Sequence, residues 1–351
     1  MPDDRFPLPG FVSAHSHAFQ RALRGQGSGG DFWAWREAML AEAGRQTPET
    51  VRTSYEWTYR ELRAAGYTAV GEFHYLGFDE ARAAADAART AGIEIALLLA
   101  AYERGGLERF RQASVADYLA QVERLRATGM RVGVAPHSVR ACSAEWLAEI
   151  GRYAGREQLV LHVHAGEQPR EIEECLAEHG VRPIELLART GCLTSATTVV
   201  HATHASPAEL DLLRDSEVGV CICPTTEANL GDGFPPLEGL LQRGIRLSIG
   251  SDSNVRIDPL EELRELEGTA RRQLGRREVI PLAELLAIGS KHGAAALGLD
   301  EWAGVEADLS HPSLRGVSRE GVPAALVFSC GADVLGDKQP GRMVRSRGPA
   351  V

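Results

Sequence analysis

Lysine is almost absent from this chain. Among 351 residues only Lys291 and Lys338 occur, both late, so nearly all positive charge sits on arginine. Basic clusters are absent too, and a formal net charge of −10 argues against nucleic acid as a partner. No apolar run approaches the length that spans a bilayer, which argues against a membrane protein. The acidic, proline-rich start MPDDRFPLPG lacks the basic-then-apolar pattern of a secretory signal, so a cytoplasmic protein is expected. The six cysteines (Cys142, Cys175, Cys192, Cys221, Cys223, Cys330) form no CxxC pair and no zinc-ribbon spacing, and read as buried, reduced thiols. No GxGxxG immediately follows the first strand, which weakens a dinucleotide-binding sheet as an alternative fold.

What remains is the composition of a globular protein, 44% hydrophobic and 25% charged, long enough for one large α/β barrel or two ordinary domains. Eight short strand-like runs recur: 11–17, 68–75, 93–101, 131–138, 159–167, 197–205, 218–226 and 247–253. Amphipathic segments such as 116–129 and 143–155 lie between them, the latter with Ser143 as N-cap. Strand–helix alternation repeated eight times predicts a parallel (β/α)8 TIM-like barrel. Extra helices are expected at 31–44 and 49–66, and again at 258–275 and 281–297. The division expected is a barrel over 1–305 and a short β appendage over 306–351, with AALVFSC (324–330) as its strand.

The run FVSAHSHAFQRALRG (11–25) ends a strand on two histidines spaced i, i+2, which point to the same side. His15 and His17 so arranged suit a divalent metal, although two imidazoles alone prove little. Barrel active sites lie where the strands end. Those ends offer Gln20 near the first strand, His74 and Tyr75 on the second, His137 and Arg140 on the fourth, His164 and Glu167 on the fifth, His201 and His204 on the sixth, and Asp252 on the eighth. One histidine at a strand end is ordinarily structural. Four strands contributing metal-binding residue types to one mouth favour a metal.

This pattern, spread over residues 11–253, resembles the amidohydrolase superfamily, whose barrels are metal-dependent hydrolases. Many members hold two metals bridged by a carbamylated lysine of the fourth strand, and here no lysine precedes position 291. The resemblance therefore points to the mononuclear, deaminase-like branch, whose His-x-x-Glu is matched by HAGE (164–167). It implies His15, His17, His164 and Asp252 as ligands of one Zn2+, with a water in the open position; iron would fit the same set. It further implies His201 orienting the attacking water, Asp252 accepting its proton, and Glu167 carrying protons to the leaving nitrogen. As a bland reading, Glu167 is a surface acid opening the segment GEQPREIEE.

The longer words FWAWRE (32–37), APHSVRA (135–141) and CPTTEANLGDG (223–233) resemble the formimidoylglutamate deiminase group within that superfamily. That resemblance implies hydrolysis of N-formimidoyl-L-glutamate to N-formyl-L-glutamate and ammonia, as in histidine degradation. It implies Arg36 and Arg140 as carboxylate binders, with Gln20, Tyr75 and His137 as polar substrate contacts, so the partner is a small anion. Other readings stand beside these. Arg36 fits a solvated helix face, and Trp33 and Trp35 fit core packing. Glu227, Asn229 and Asp232 fit a lid, a turn or a substrate contact. His74 and His162 fit structural roles, and His204 a place beside the ligands. A zinc deaminase of a purine, a pyrimidine or another amidine is the functional alternative, and an inactive metal-binding scaffold is another. Relatives begin with a β segment that joins C-terminal strands in a sandwich. Here the first barrel strand starts near residue 11, so that segment is expected to be missing and a homodimer could cover the exposed edge.

Overall fold

The computed structural model describes residues 4–26, 29–336 and 343–345. After β1 (Arg5–Pro9), eight parallel strands follow in chain order, each hydrogen-bonded to the next. They are β2 (Phe11–Ser16), β3 (Tyr67–His74), β4 (Glu94–Ala101), β5 (Val132–Pro136), β6 (Leu161–Ala165), β7 (Thr197–His201), β8 (Gly219–Ile222) and β9 (Leu247–Ile249). β9 returns to β2 through a single bridge, Ser16 to Asp252. There the His17 N–H donates to Asp252 O (2.8 Å) and the Asp252 N–H to His15 O (3.0 Å). The expected (β/α)8 barrel is thus the fold, nearly closed, with its seam at the strand ends that carry His15, His17 and Asp252.

The strands read clearly in the sequence because helices cover the sheet outside and side chains fill it inside. Burial on both faces gives near-continuous apolar runs. The helix Ala144–Glu157 begins on Ser143, whose side chain accepts from the Trp146 N–H. The helices Phe32–Arg45 and Pro48–Ala64 fill the long connection from β2 to β3, and the six cysteines are buried and unpaired. Among the described residues no helix is long and apolar enough to cross a membrane.

The remaining strands differ from expectation. β10 (Glu301–Asp308), β11 (Leu335–Gly336) and β12 (Met343–Arg345) form a small sheet with β1, which pairs antiparallel with β10 from Arg5–Asp308 to Pro9–Gly304. A division at 305/306 would cut β10. A strand does precede the barrel and does join C-terminal strands. Pro7 and Pro9 hid it, because proline donates no ladder hydrogen bond and is confined to edge strands such as this one. The small sheet is tied to the barrel by the buried Trp302, whose Nε1–H donates to Gly10 O (2.9 Å).

The run expected as a strand at 324–330 is instead helical up to Ser329, in the helix Val322–Ser329, with Cys330 as its C-cap. A short continuous apolar run does not reveal its period. Pro323 in the first turn and packing on the helix Pro259–Leu274 decide for helix, and Arg264 Nε–H donates to Val327 O (2.8 Å). Residues 337–342 and 346–351 of the expected appendage lie outside the described residues.

Candidate metal centre and active site

The ends of β2 and β6 bring three imidazoles together. His15 Nε2 lies 3.1 Å from His17 Nε2 and 3.1 Å from His164 Nε2. The other ring nitrogen of His17 faces Phe73 O (2.9 Å), and that of His164 faces His137 O (2.9 Å). A carbonyl can only accept, so both Nδ1 atoms carry the proton and both Nε2 atoms present lone pairs. Burial holds the His15 and His164 imidazoles well below their ordinary pKa, and burial with the neighbouring His15 brings His17 down to about 3. His15 Nε2 faces the lone pairs of both His17 and His164, so a cation between the three rings would draw on all of them. Asp252 Oδ1 completes the group, 3.5 Å from His15 Nε2 and 3.6 Å from His17 Nε2. The three imidazole nitrogens lie within 4.8 Å of one another, and with the adjacent Asp252 they make a donor set that fits a divalent transition metal.

A fourth imidazole and further carboxylates stand beside this cluster. His201 Nε2 is 3.8 Å from Glu167 Oε1 and 3.9 Å from Asp252 Oδ2, while its Nδ1 is 3.1 Å from Glu227 Oε1. Burial alone would lower the His201 pKa, but Glu167, Glu227 and Asp252 outweigh it and raise the pKa well above the ordinary value. Glu167 is itself held at two points: its N–H donates to Glu171 Oε2 (3.1 Å), and Arg140 Nη2 donates to its Oε2 (3.2 Å).

The backbone at this rim is unusual. His201 has φ 74°, Ala202 φ 52°, Asp252 φ 42° and Asn254 φ 54°. Non-glycine residues in the left-handed region cost of order 1–3 kcal/mol each and persist where the surroundings over-determine them. At the seam β9 approaches so closely that a Cβ on Gly250 would lie 2.9 Å from both His15 Cβ and His15 O. Gly250→Ala is therefore expected to destabilise the fold by about 1–3 kcal/mol and to lower metal content by displacing His15. Urea unfolding and elemental analysis read the two effects.

A cavity of about 270 Å³ opens above the cluster, lined by His17, His164, Glu167, His201 and Asp252 on its floor. Gln20, Arg36, Tyr75, His137 and Arg140, singled out from sequence, all line it as well. Gln20 Nε2–H donates to Tyr75 OH (3.1 Å), and Gln20 Oε1 is buried with no partner among the described residues. Arg140 Nε is likewise buried and unpartnered, and among the described residues Arg36 reaches no nearer acid than Glu37 at 3.7 Å. Trp33 and Trp35, read as core, are half-buried and line the same cavity.

Sequence reasoning missed Arg104, Arg170 and Tyr102 as lining residues. Tyr102 and Arg104 follow the end of β4, so the strand-end rule could have found them. Each of the two arginines pairs with an acid: Arg104 with Glu178 (2.7 Å), and Arg170 through Nε with Glu174 (2.7 Å), its guanidinium lying over the Trp33 ring at 4.5 Å. His74, His162 and His204 point to backbone carbonyls, of Gly77, Ala296 and Asp232 respectively.

A parallel barrel that gathers such ligands and acids at the ends of its strands defines a metal-dependent hydrolase type of architecture. The chain belongs to the amidohydrolase family, whose model matches residues 6–307. It is 40% identical over 289 residues to the formimidoylglutamate deiminase of Pseudomonas aeruginosa, a match that covers 74% of this chain and 63% of that protein. The chain thus spans less than two thirds of that relative's length. It is 28% identical over 317 residues to a 5-methylthioadenosine/S-adenosylhomocysteine deaminase of Haloarcula marismortui, covering 88% of this chain and 72% of the relative. Among solved structures, an adenosine deaminase from Xanthomonas campestris with bound zinc shares the fold, with a TM-score of 0.87, 23% identity, and coverage of 98% of this chain and 80% of that one.

Proposed function

We propose that this protein is a zinc-dependent deaminase that hydrolyses N-formimidoyl-L-glutamate to N-formyl-L-glutamate and ammonia. The observation that carries the reading is one cavity with the histidine–aspartate cluster on its floor and two arginines, Arg36 and Arg140, with donors in reserve on its walls. His15, His17, His164 and Asp252 would hold one zinc ion. Bound there, zinc supplies Lewis acidity and a water acidic enough to serve as nucleophile near neutral pH.

The chain's own groups then account for the proton traffic. Water adds to the formimidoyl carbon, and the terminal nitrogen leaves as ammonia with two protons gained. Glu167 takes the first proton of the attacking water and hands it through Oε1 to the nitrogen, and Asp252 takes the second as the carbonyl forms and passes it to the same nitrogen, which departs as ammonia. His201, fixed between the two acids, steadies the oxygen as charge develops on it. The glutamate part of the substrate carries two carboxylates, which guanidinium groups bind bidentately.

A hydrogen bond to a charged group is worth roughly 1.5–3 kcal/mol. Arg36→Met is therefore expected to raise KM by about tenfold to a hundredfold with little change in kcat. Steady-state ammonia release measures this, and an unchanged KM would remove Arg36 from the binding site. The similarity to a methylthioadenosine deaminase supports a second reading, a purine substrate. Assaying N-formimidoyl-L-glutamate beside 5-methylthioadenosine and adenosine separates the two, since faster release from either nucleoside overturns the dianion reading.

A further inference from the structure

Glu227 stood open between lid, turn and substrate contact, and it takes no part in the proton traffic above. Its surroundings are specific. The carboxylate and the His201 ring are both buried, and Glu227 Oε1 accepts from His201 Nδ1 (3.1 Å) and from the Cys223 N–H (2.9 Å). The second bond fixes the oxygen to the backbone at the end of β8. The first fixes the ring on β7, so one atom ties a side chain of one strand to the main chain of the next.

The ring needs such a tether. His201 sits in the left-handed region at φ 74°, where backbone preference does not hold it. Its Nε2 must face the gap between Glu167 Oε1 and Asp252 Oδ2, at 3.8 and 3.9 Å. A half-turn about χ2 would put carbons where the nitrogens are and withdraw the only polar atom the ring offers to that gap. An acceptor at Nδ1 removes that alternative and assigns a proton to Nδ1.

We propose that Glu227 is a positioning residue, which acts through His201 by holding it in one orientation with Nδ1 protonated. For its effect on turnover this inference rests on the hydrolytic reading above. Its effect on the ring does not. Loss of a carboxylate that orients a working imidazole costs activity while binding survives.

The test compares zinc-loaded parent, Glu227→Gln and Glu227→Met. Gln keeps one acceptor of the same size and Met keeps only the bulk. Expected is a graded loss of kcat per bound zinc, smaller for Gln and roughly 10- to 100-fold for Met, with KM within about twofold and one zinc per chain throughout. In 15N-histidine spectra the His201 Nδ1–H signal should persist in the Gln variant and be lost or averaged in the Met variant. A purely structural role would lower the melting temperature without moving kcat per zinc. Parent-like kcat per zinc in Glu227→Met, or an unchanged His201 ring spectrum, overturns the proposal. If Met prevents folding, Gln carries the test, with parent-like kcat per zinc and an identical ring signal counting against the role. If the parent releases no ammonia from N-formimidoyl-L-glutamate, the substrate reading fails, and the ring spectrum still decides the role of Glu227.

Discussion

Glu167→Gln is expected to lower turnover by about 10²- to 10⁴-fold, the usual contribution of a positioned general acid–base, and to leave metal content at the parental level. The asymmetry follows from how Glu167 is held. Its backbone N–H is tied to Glu171 and its Oε2 to Arg140, so the carboxylate is fixed without touching the three imidazoles that would hold the metal. Its Oε1 faces His201 Nε2 at 3.8 Å and is the oxygen left to exchange a proton with substrate. An amide keeps the shape and the Arg140 contact through its carbonyl, but it cannot take up and release a proton. Ammonia release gives the rate and elemental analysis the metal. Turnover within tenfold of the parent would leave Glu167 a buried partner of Arg140 with no part in proton transfer, and loss of metal would make it a structural support of the centre instead.

Chelation is expected to abolish activity and to lower thermal stability, with both restored by zinc. His15, His17 and His164 are buried neutral, with His15 Nε2 3.1 Å from the facing nitrogen of each of the other two, an arrangement that a cation stabilises. A ligand that binds only the folded state adds about 2.7 kcal/mol at a free concentration one hundred times its dissociation constant. For a chain of this size that is a shift of several degrees in the melting transition. His17→Ala should reproduce the chelated state and resist rescue, since it removes one lone pair and leaves the other two without their common partner. Full activity after exhaustive chelation would dispose of the metal-dependent mechanism. An unchanged melting temperature alongside lost activity would mean that the strand ends hold their shape without the ion.

How much of this was legible in the sequence varied with the kind of evidence. The eight barrel strands were clear because each is buried on two sides and each is followed by an amphipathic segment. The floor of the cavity was clear for a related reason: strands deliver their terminal side chains to one rim, so His15, His17, His164, His201 and Asp252 could be grouped by their places at strand ends alone. β1 was hidden by its two prolines. The helix Val322–Ser329 was hidden by an apolar run too short to show a period. Glu227 and Gln20 could be named as candidates, yet nothing in their spacing told what they would touch.

By itself, then, the sequence determined the barrel, the rim on which chemistry would sit, the residue types gathered there and the absence of lysine from them. Those properties follow from local pattern and from the geometry that every parallel barrel shares. Only the tertiary structure decided which donor atoms face one another, which of four arginines keep free donors, that β1 closes against β10, and that Glu227 rather than a neighbouring acid meets His201. Such pairings run from His201 with Glu227, 26 positions apart, to Arg5 with Asp308, 303 apart, and distance along the chain carries no record of them. They are fixed when strands close into a barrel and the side chains must share a single interior.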